Sequence, residues 1–175
     1  MNIFYLHSDP TIAARAMTDK HCVKMILESA QLLSTAHRVL DGTPYTKLSK
    51  SNAKLTRYHH PLPLYQATHI NHPSAIWVRE SADNYAWLYS HFLALCVEYT
   101  RRYGKTHKSY TDLALLLQPL PTNIPQVGPT PVRIAITDTQ WHRGDAVSSY
   151  RAYYLGEKLK LQHDINRYME VLYGN

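Results

Sequence analysis

The hydrophobic pattern is most regular between Thr18 and Asp41, a stretch without Gly or Pro. At about 100° per residue, Cys22, Ile26, Leu33, Ala36 and Leu40 fall on one stripe, with Met25 and Ala30 beside it. This predicts a long helix with one core-facing side. The other side carries His21, Lys24, Glu28, Gln31 and Thr35 at spacings of three and four, so neighbouring side chains can touch. Upstream, Asn2–His7 (NIFYLH) is an apolar run too short to assign. Ser8-Asp9-Pro10 then predicts a helix start, with Asp9 as cap and Pro10 at the first position of a short helix Thr11–Met17. Gly42-Thr43-Pro44 ends the long helix. Prolines 61, 63 and 73 make the region from Tyr45 to Ser74 a loop, with one short helix around Ser51–Arg57. A second long helix is predicted from Pro73 to about Arg102, a short one over Tyr110–Gln118, and a last helical region over Asp145–Leu172. Between these last two, five prolines in Pro119–Pro131 require an extended connection. The expected architecture is all-α: a single compact domain over residues 1–175, two long central helices and proline-rich loops.

Composition narrows the function. A chain of 175 residues can bury a core unaided. Its net charge of +6, with eleven histidines uncounted, points to a polyanionic partner such as nucleic acid. Fourteen tyrosines against two phenylalanines suit a wet, aromatic-lined cleft or an amphipathic core margin. No apolar run reaches membrane-spanning length and no leader pattern precedes the chain, so a cytoplasmic protein without a membrane partner is expected. Cys22 and Cys96 are isolated, which fits a reducing compartment. Four histidines between His59 and His72 match no structural-zinc spacing, so neither a metal nor a cofactor is expected. Trp77, Trp87 and Cys96 are read as core or core-margin residues, and His37 as a structural histidine.

Three groups of residues carry candidate chemistry. The ladder of His21, Lys24, Glu28 and Gln31 serves either as a catalytic wall or as a solvated face with an i,i+4 Lys–Glu pair. Arg101, Arg102, Lys105 and Lys108 form either a phosphate-binding edge or the ordinary cationic complement of a helix end. In residues 150–158, Tyr150, Arg151, Tyr154 and Lys158 interleave aromatics with cations. That arrangement stacks bases and holds phosphates, or packs tyrosines at a core margin.

Asp19-Lys20-His21 followed after six residues by Glu28 resembles the first long helix of phage pyrimidine-dimer DNA glycosylase/AP lyases of the endonuclease V type. There an Asp-x-His opens the helix and a glutamate at that spacing is the catalytic acid. His72-Pro73 leading into a helix that ends in Arg-Tyr-Gly is similar to another helix of the family. The Tyr-x-x-Tyr-Tyr-x-Gly-x-Lys run is similar to its aromatic C-terminal segment. Where the family has arginines beside and one turn after the glutamate, this chain has Leu27 and Gln31. The resemblance implies damaged duplex DNA as partner, Glu28 and His21 in the site, and an amine nucleophile, either the α-amine of Met1 or Lys24. A different class stays open: a nucleotide- or nucleic-acid-binding accessory protein on the same helical scaffold, with Tyr, His and Arg lining a nucleotide pocket.

Overall fold

The computed structural model describes residues 1–174. Helix α1 (Pro10–Arg15) starts on Asp9, whose carboxylate accepts from the amides of Thr11 and Ile12 at 2.7 and 3.1 Å. Helix α2 (Asp19–Asp41) follows, capped by the Thr18 hydroxyl on the His21 amide. Both helices lie where local signals predict them. The surroundings of α2 differ from the expectation. Its apolar stripe packs on α3 (Pro73–Glu80), α4 (Ala82–Tyr103) and α5 (Lys108–Leu117). Its polar side is covered as well: Glu28, Ser34, Thr35, His37 and Arg38 are all buried. Thr35 exchanges hydrogen bonds with the backbone of Thr68, and the N-terminal segment lies near the middle of the helix. The polar ladder is therefore an interior feature over half its length.

Two expectations are corrected and a third is refined. Residues 43–59 form an antiparallel hairpin, β1 (Thr43–Leu48) and β2 (Lys54–His59), where a loop with a short helix was expected. The turn between them places Asn52 at φ 59°, which asparagine tolerates. The helix expected from Pro73 to Arg102 breaks at Ser81, which is extended (φ −156°, ψ 146°). The Ser81 hydroxyl caps Asp83 and donates to the Gly128 carbonyl, while the Ala82 amide donates to Pro125 at 2.9 Å. The break seats the proline-rich connection. The last helical region, expected over Asp145–Leu172, consists of α6 (Ala146–Tyr153) and α7 (Gln162–Tyr173), joined through a π turn at Tyr154–Lys158. Gly156 in that turn rests on the Trp141 indole with no room for a Cβ.

The fold is mostly helical and holds one hydrophobic core. Tyrosines fill much of it: Tyr85, Tyr150, Tyr154 and Tyr168 are all fully buried. Tyr85 meets this by donating to the Leu117 carbonyl and bonding His37, each at 2.8 Å. Trp77 and Cys96 are buried, and Trp87 lies at the margin.

Candidate active site

Asn2 folds the start of the chain against α2. Its side-chain oxygen accepts from the amides of Ile3 and Phe4 at 2.7 and 3.0 Å, and its amide nitrogen donates to the Ala135 carbonyl at 2.9 Å. The turn drives Phe4 to φ 55°, a region that an aromatic residue enters only when its surroundings compel it. Buried Ile3, Phe4 and Leu6 hold the segment down. The result is a bond from the Asn2 backbone amide to Glu28 Oε2 at 3.0 Å. The α-amine of Met1 lies one residue before that amide, within about 4 Å of it by covalent geometry.

Glu28 is 9% exposed. Its other oxygen takes the Lys24 ammonium at 3.2 Å, whose side chain is 61% exposed. His72 caps α3 through Nδ1, accepting from the Ser74 amide at 3.2 Å. Burial holds the His72 imidazole below its ordinary pKa, and the neighbouring α-amine pushes it the same way while Glu28 opposes. Met1, Glu28 and His72 thus share one electrostatic neighbourhood, in which the glutamate opposes the α-amine.

Two turns earlier on α2, His21 stands in a different setting. Its ring stacks on Phe4 with centroids 4.3 Å apart, and Nδ1 is bonded to the Tyr154 hydroxyl. Burial, then the charges of Lys158, Lys24 and Lys20, lower its pKa to about 4, so the ring is neutral near pH 7. It borders a cleft of about 490 Å³ lined by Thr18, Lys20, Lys24, Lys158 and Lys160. Four lysines against Glu157 and Asp164 make this cleft cationic.

A model of the pyrimidine dimer DNA glycosylase family matches residues 1–112. The chain belongs to this family. No curated protein and no solved structure gives a match. Membership makes this a DNA-repair glycosylase fold with DNA as its substrate class. Met1, His21, Lys24, Glu28 and His72 all lie inside the matched region. Ala135, Tyr154 and Lys158, which complete the surroundings in this family member, lie beyond it.

The remaining predicted contacts are scattered. Tyr150 and Tyr154, expected to face DNA, are 1% and 0% exposed and offer no face to a base, which corrects that expectation. Their rings point inward because Tyr150 accepts from the Ala135 amide at 2.9 Å and Tyr154 reaches His21. Arg151 is a strut, donating to the Leu6 carbonyl at 2.8 Å beside the Tyr173 ring. Lys158 does reach the cleft, its ammonium 4.5 Å from the centre of the Tyr153 ring. Arg102 is enclosed by Glu98, Asp19 and the Met17 carbonyl, so it holds helices together and faces no phosphate. Arg101 is exposed but paired with Glu98 at 2.8 Å, and Lys108 with Asp112 at 2.6 Å. Lys105 is exposed, and Gln31 is half-buried one turn after Glu28.

Sequence reasoning missed Asn2, and it read His72 only as the start of a helix. Both carried a signal, His72 as the residue before a helix-starting proline and Asn2 as a turn-former beside the terminus. Two His/Asp groups lie close enough to suggest a metal, His37-Asp41-His60 and Asp19-His163-Asp164. Their carboxylates are already committed. Asp41 accepts from the amides of Thr122 and Asn123, and Asp19 and Asp164 pair with Arg167. No helix among the described residues is long and apolar enough to cross a membrane.

Proposed function

We propose that this protein excises damaged pyrimidines and cleaves the resulting abasic strand, using the α-amine of Met1 as nucleophile and Glu28 as its acid–base partner. The observation that carries this reading is the Asn2 amide bonded to Glu28 at 3.0 Å, which puts the terminus beside the one buried carboxylate of the α2 ladder. As a class, α-amines are less basic than lysine side chains by about two units. The neutral amine adds to the sugar C1′ as the bond to the base breaks, and loss of the ring-oxygen link gives an imine. Glu28 stabilises the cationic sugar and then takes the C2′ proton as the 3′ phosphate leaves. Water hydrolyses the imine and frees the amine. Lys24 is the other amine in reach. It is solvated and already paired with Glu28, and neither condition favours a neutral nucleophile.

The cationic cleft beside His21 suits backbone phosphates on the approach to the site. It also has the size and charge for an isolated nucleotide, which keeps the accessory-protein reading as the second one.

Borohydride trapping on duplexes with an abasic site or a pyrimidine dimer tests the proposal. The adduct should map to the peptide carrying Met1, survive Lys24→Met and vanish when one residue is added before Met1. An adduct on the peptide carrying Lys24 would move the role to α2. No adduct on any substrate, with tight nucleotide binding, would favour the accessory protein.

A further inference from the structure

At the C-terminal end of α2 the β1–β2 ribbon leaves the body of the protein. From Thr43 to Tyr65 there is no Asp or Glu, while Lys47, Lys50, Lys54 and Arg57 are spread over both strands and the turn. The three lysines are exposed, and none has an ion-pair or hydrogen-bond partner among the described residues. Neither face of the ribbon is covered: Leu48 is 57% and Leu55 36% exposed.

An isolated two-stranded hairpin is marginal in water, yet this one is clamped at its base. Buried Arg38 donates to the carbonyls of Tyr58, Tyr65 and Leu64 at 2.6, 2.6 and 2.7 Å. Gly42 lies so close to the carbonyls of Arg38 and His59 that a Cβ would overlap both. Tyr45 stacks on His59, centroids 4.1 Å apart. A fixed base, an uncovered ribbon and uncompensated charge together describe an arm built to meet a polyanion.

We propose that the ribbon is a second DNA contact, gripping duplex that flanks the lesion with Lys47, Lys50 and Lys54 on its phosphates. The inference rests on the repair reading above, and charge complementarity selects the occupant. A two-stranded ribbon fits a B-DNA major groove about 12 Å wide. Gly42 follows Glu28 by fourteen residues of helix, about 21 Å, which spans roughly six base pairs. The ribbon thus engages DNA beyond the reach of the cleft lysines.

The test compares the parent with Lys47→Ala/Lys50→Ala/Lys54→Ala on duplexes carrying a reduced abasic-site analogue, over a range of salt. The log–log salt slope should fall by about 2 to 3, since each phosphate contact contributes about 0.9. Trimming the duplex to fewer than about six base pairs on one flank should cost the parent about tenfold or more in affinity and the variant almost nothing. The triple Lys→Arg variant should behave as the parent. An unchanged salt slope, or a parent indifferent to trimming on either flank, overturns the arm. A protein with ribbon-dependent binding that never traps an adduct keeps the arm and refutes the catalytic reading. The reverse pattern keeps the catalysis and refutes the arm.

Discussion

A carboxylate buried within a helix bundle costs stability unless its charge is answered, and Glu28 is answered by one backbone amide and one solvated ammonium. Glu28→Gln keeps an oxygen for the Asn2 amide and removes the charge. Cleavage of abasic duplex should fall on the order of 10²-fold or more in single-turnover rate, while DNA binding holds or tightens as repulsion is lost. A variant that cleaves like the parent would remove Glu28 from the chemistry. His21 illustrates a different outcome at this scale. Its position in the polar ladder and the family resemblance made it a candidate for the site. In the fold its ring is locked between Phe4 and the Tyr154 hydroxyl and kept neutral, so it positions the N-terminal segment.

Among the elements, the π turn makes the sharpest prediction. Gly156→Ala would drive a methyl into Trp141 and displace the turn that carries Lys158. Overpacking of this kind costs about 1–3 kcal/mol, readable in urea unfolding. In a Trp141→Ala background the cost should largely disappear, and equal costs in both backgrounds would show that the contact does not strain the turn. The elements also divide by how far away their causes lie. Asp9-Pro10 and Thr18 act on their own next turn, so α1 and α2 were legible. Ser81 breaks a helix because it meets Gly128, far along the chain, which local periodicity cannot register. The hairpin gave no alternation because both its faces meet solvent. In residues 150–158 the interleaved pattern was real, but the fold turns Tyr150 and Tyr154 inward, ties Arg151 to the Leu6 carbonyl and leaves Lys158 to the cleft.

For the whole molecule, buried neutral histidines weaken the fold as the pH falls. His91 is fully enclosed, stacked on Trp87 at 5.0 Å, with neither ring nitrogen partnered, and burial lowers its pKa to about 3 from 6.5. His21 moves the same way, to about 4. Unfolded chains take these protons near 6.5 and native chains resist until 4 or 3, so in that window the unfolded state binds more protons. Stability is therefore full above about pH 6.5 and drains away as the pH falls toward those values. His91→Phe keeps the stack and should lessen the acid slope by about 1.4 kcal/mol per pH unit between pH 6 and 4, measured by unfolding at a series of pH values. An unaltered slope would show that His91 takes up its proton elsewhere on the path to unfolding.

The Asn2 side chain that sets the terminus beside Glu28 is held by a carbonyl 133 positions away, at Ala135. The arrangement of residues 2–4 is therefore complete only once the chain as far as Ala135 has folded. A polypeptide stopped after the family-matched region would carry both proposed catalytic groups but lack the Ala135 carbonyl that fixes the Asn2 side chain, leaving the terminus to the Asn2 amide bond and the burial of Ile3, Phe4 and Leu6.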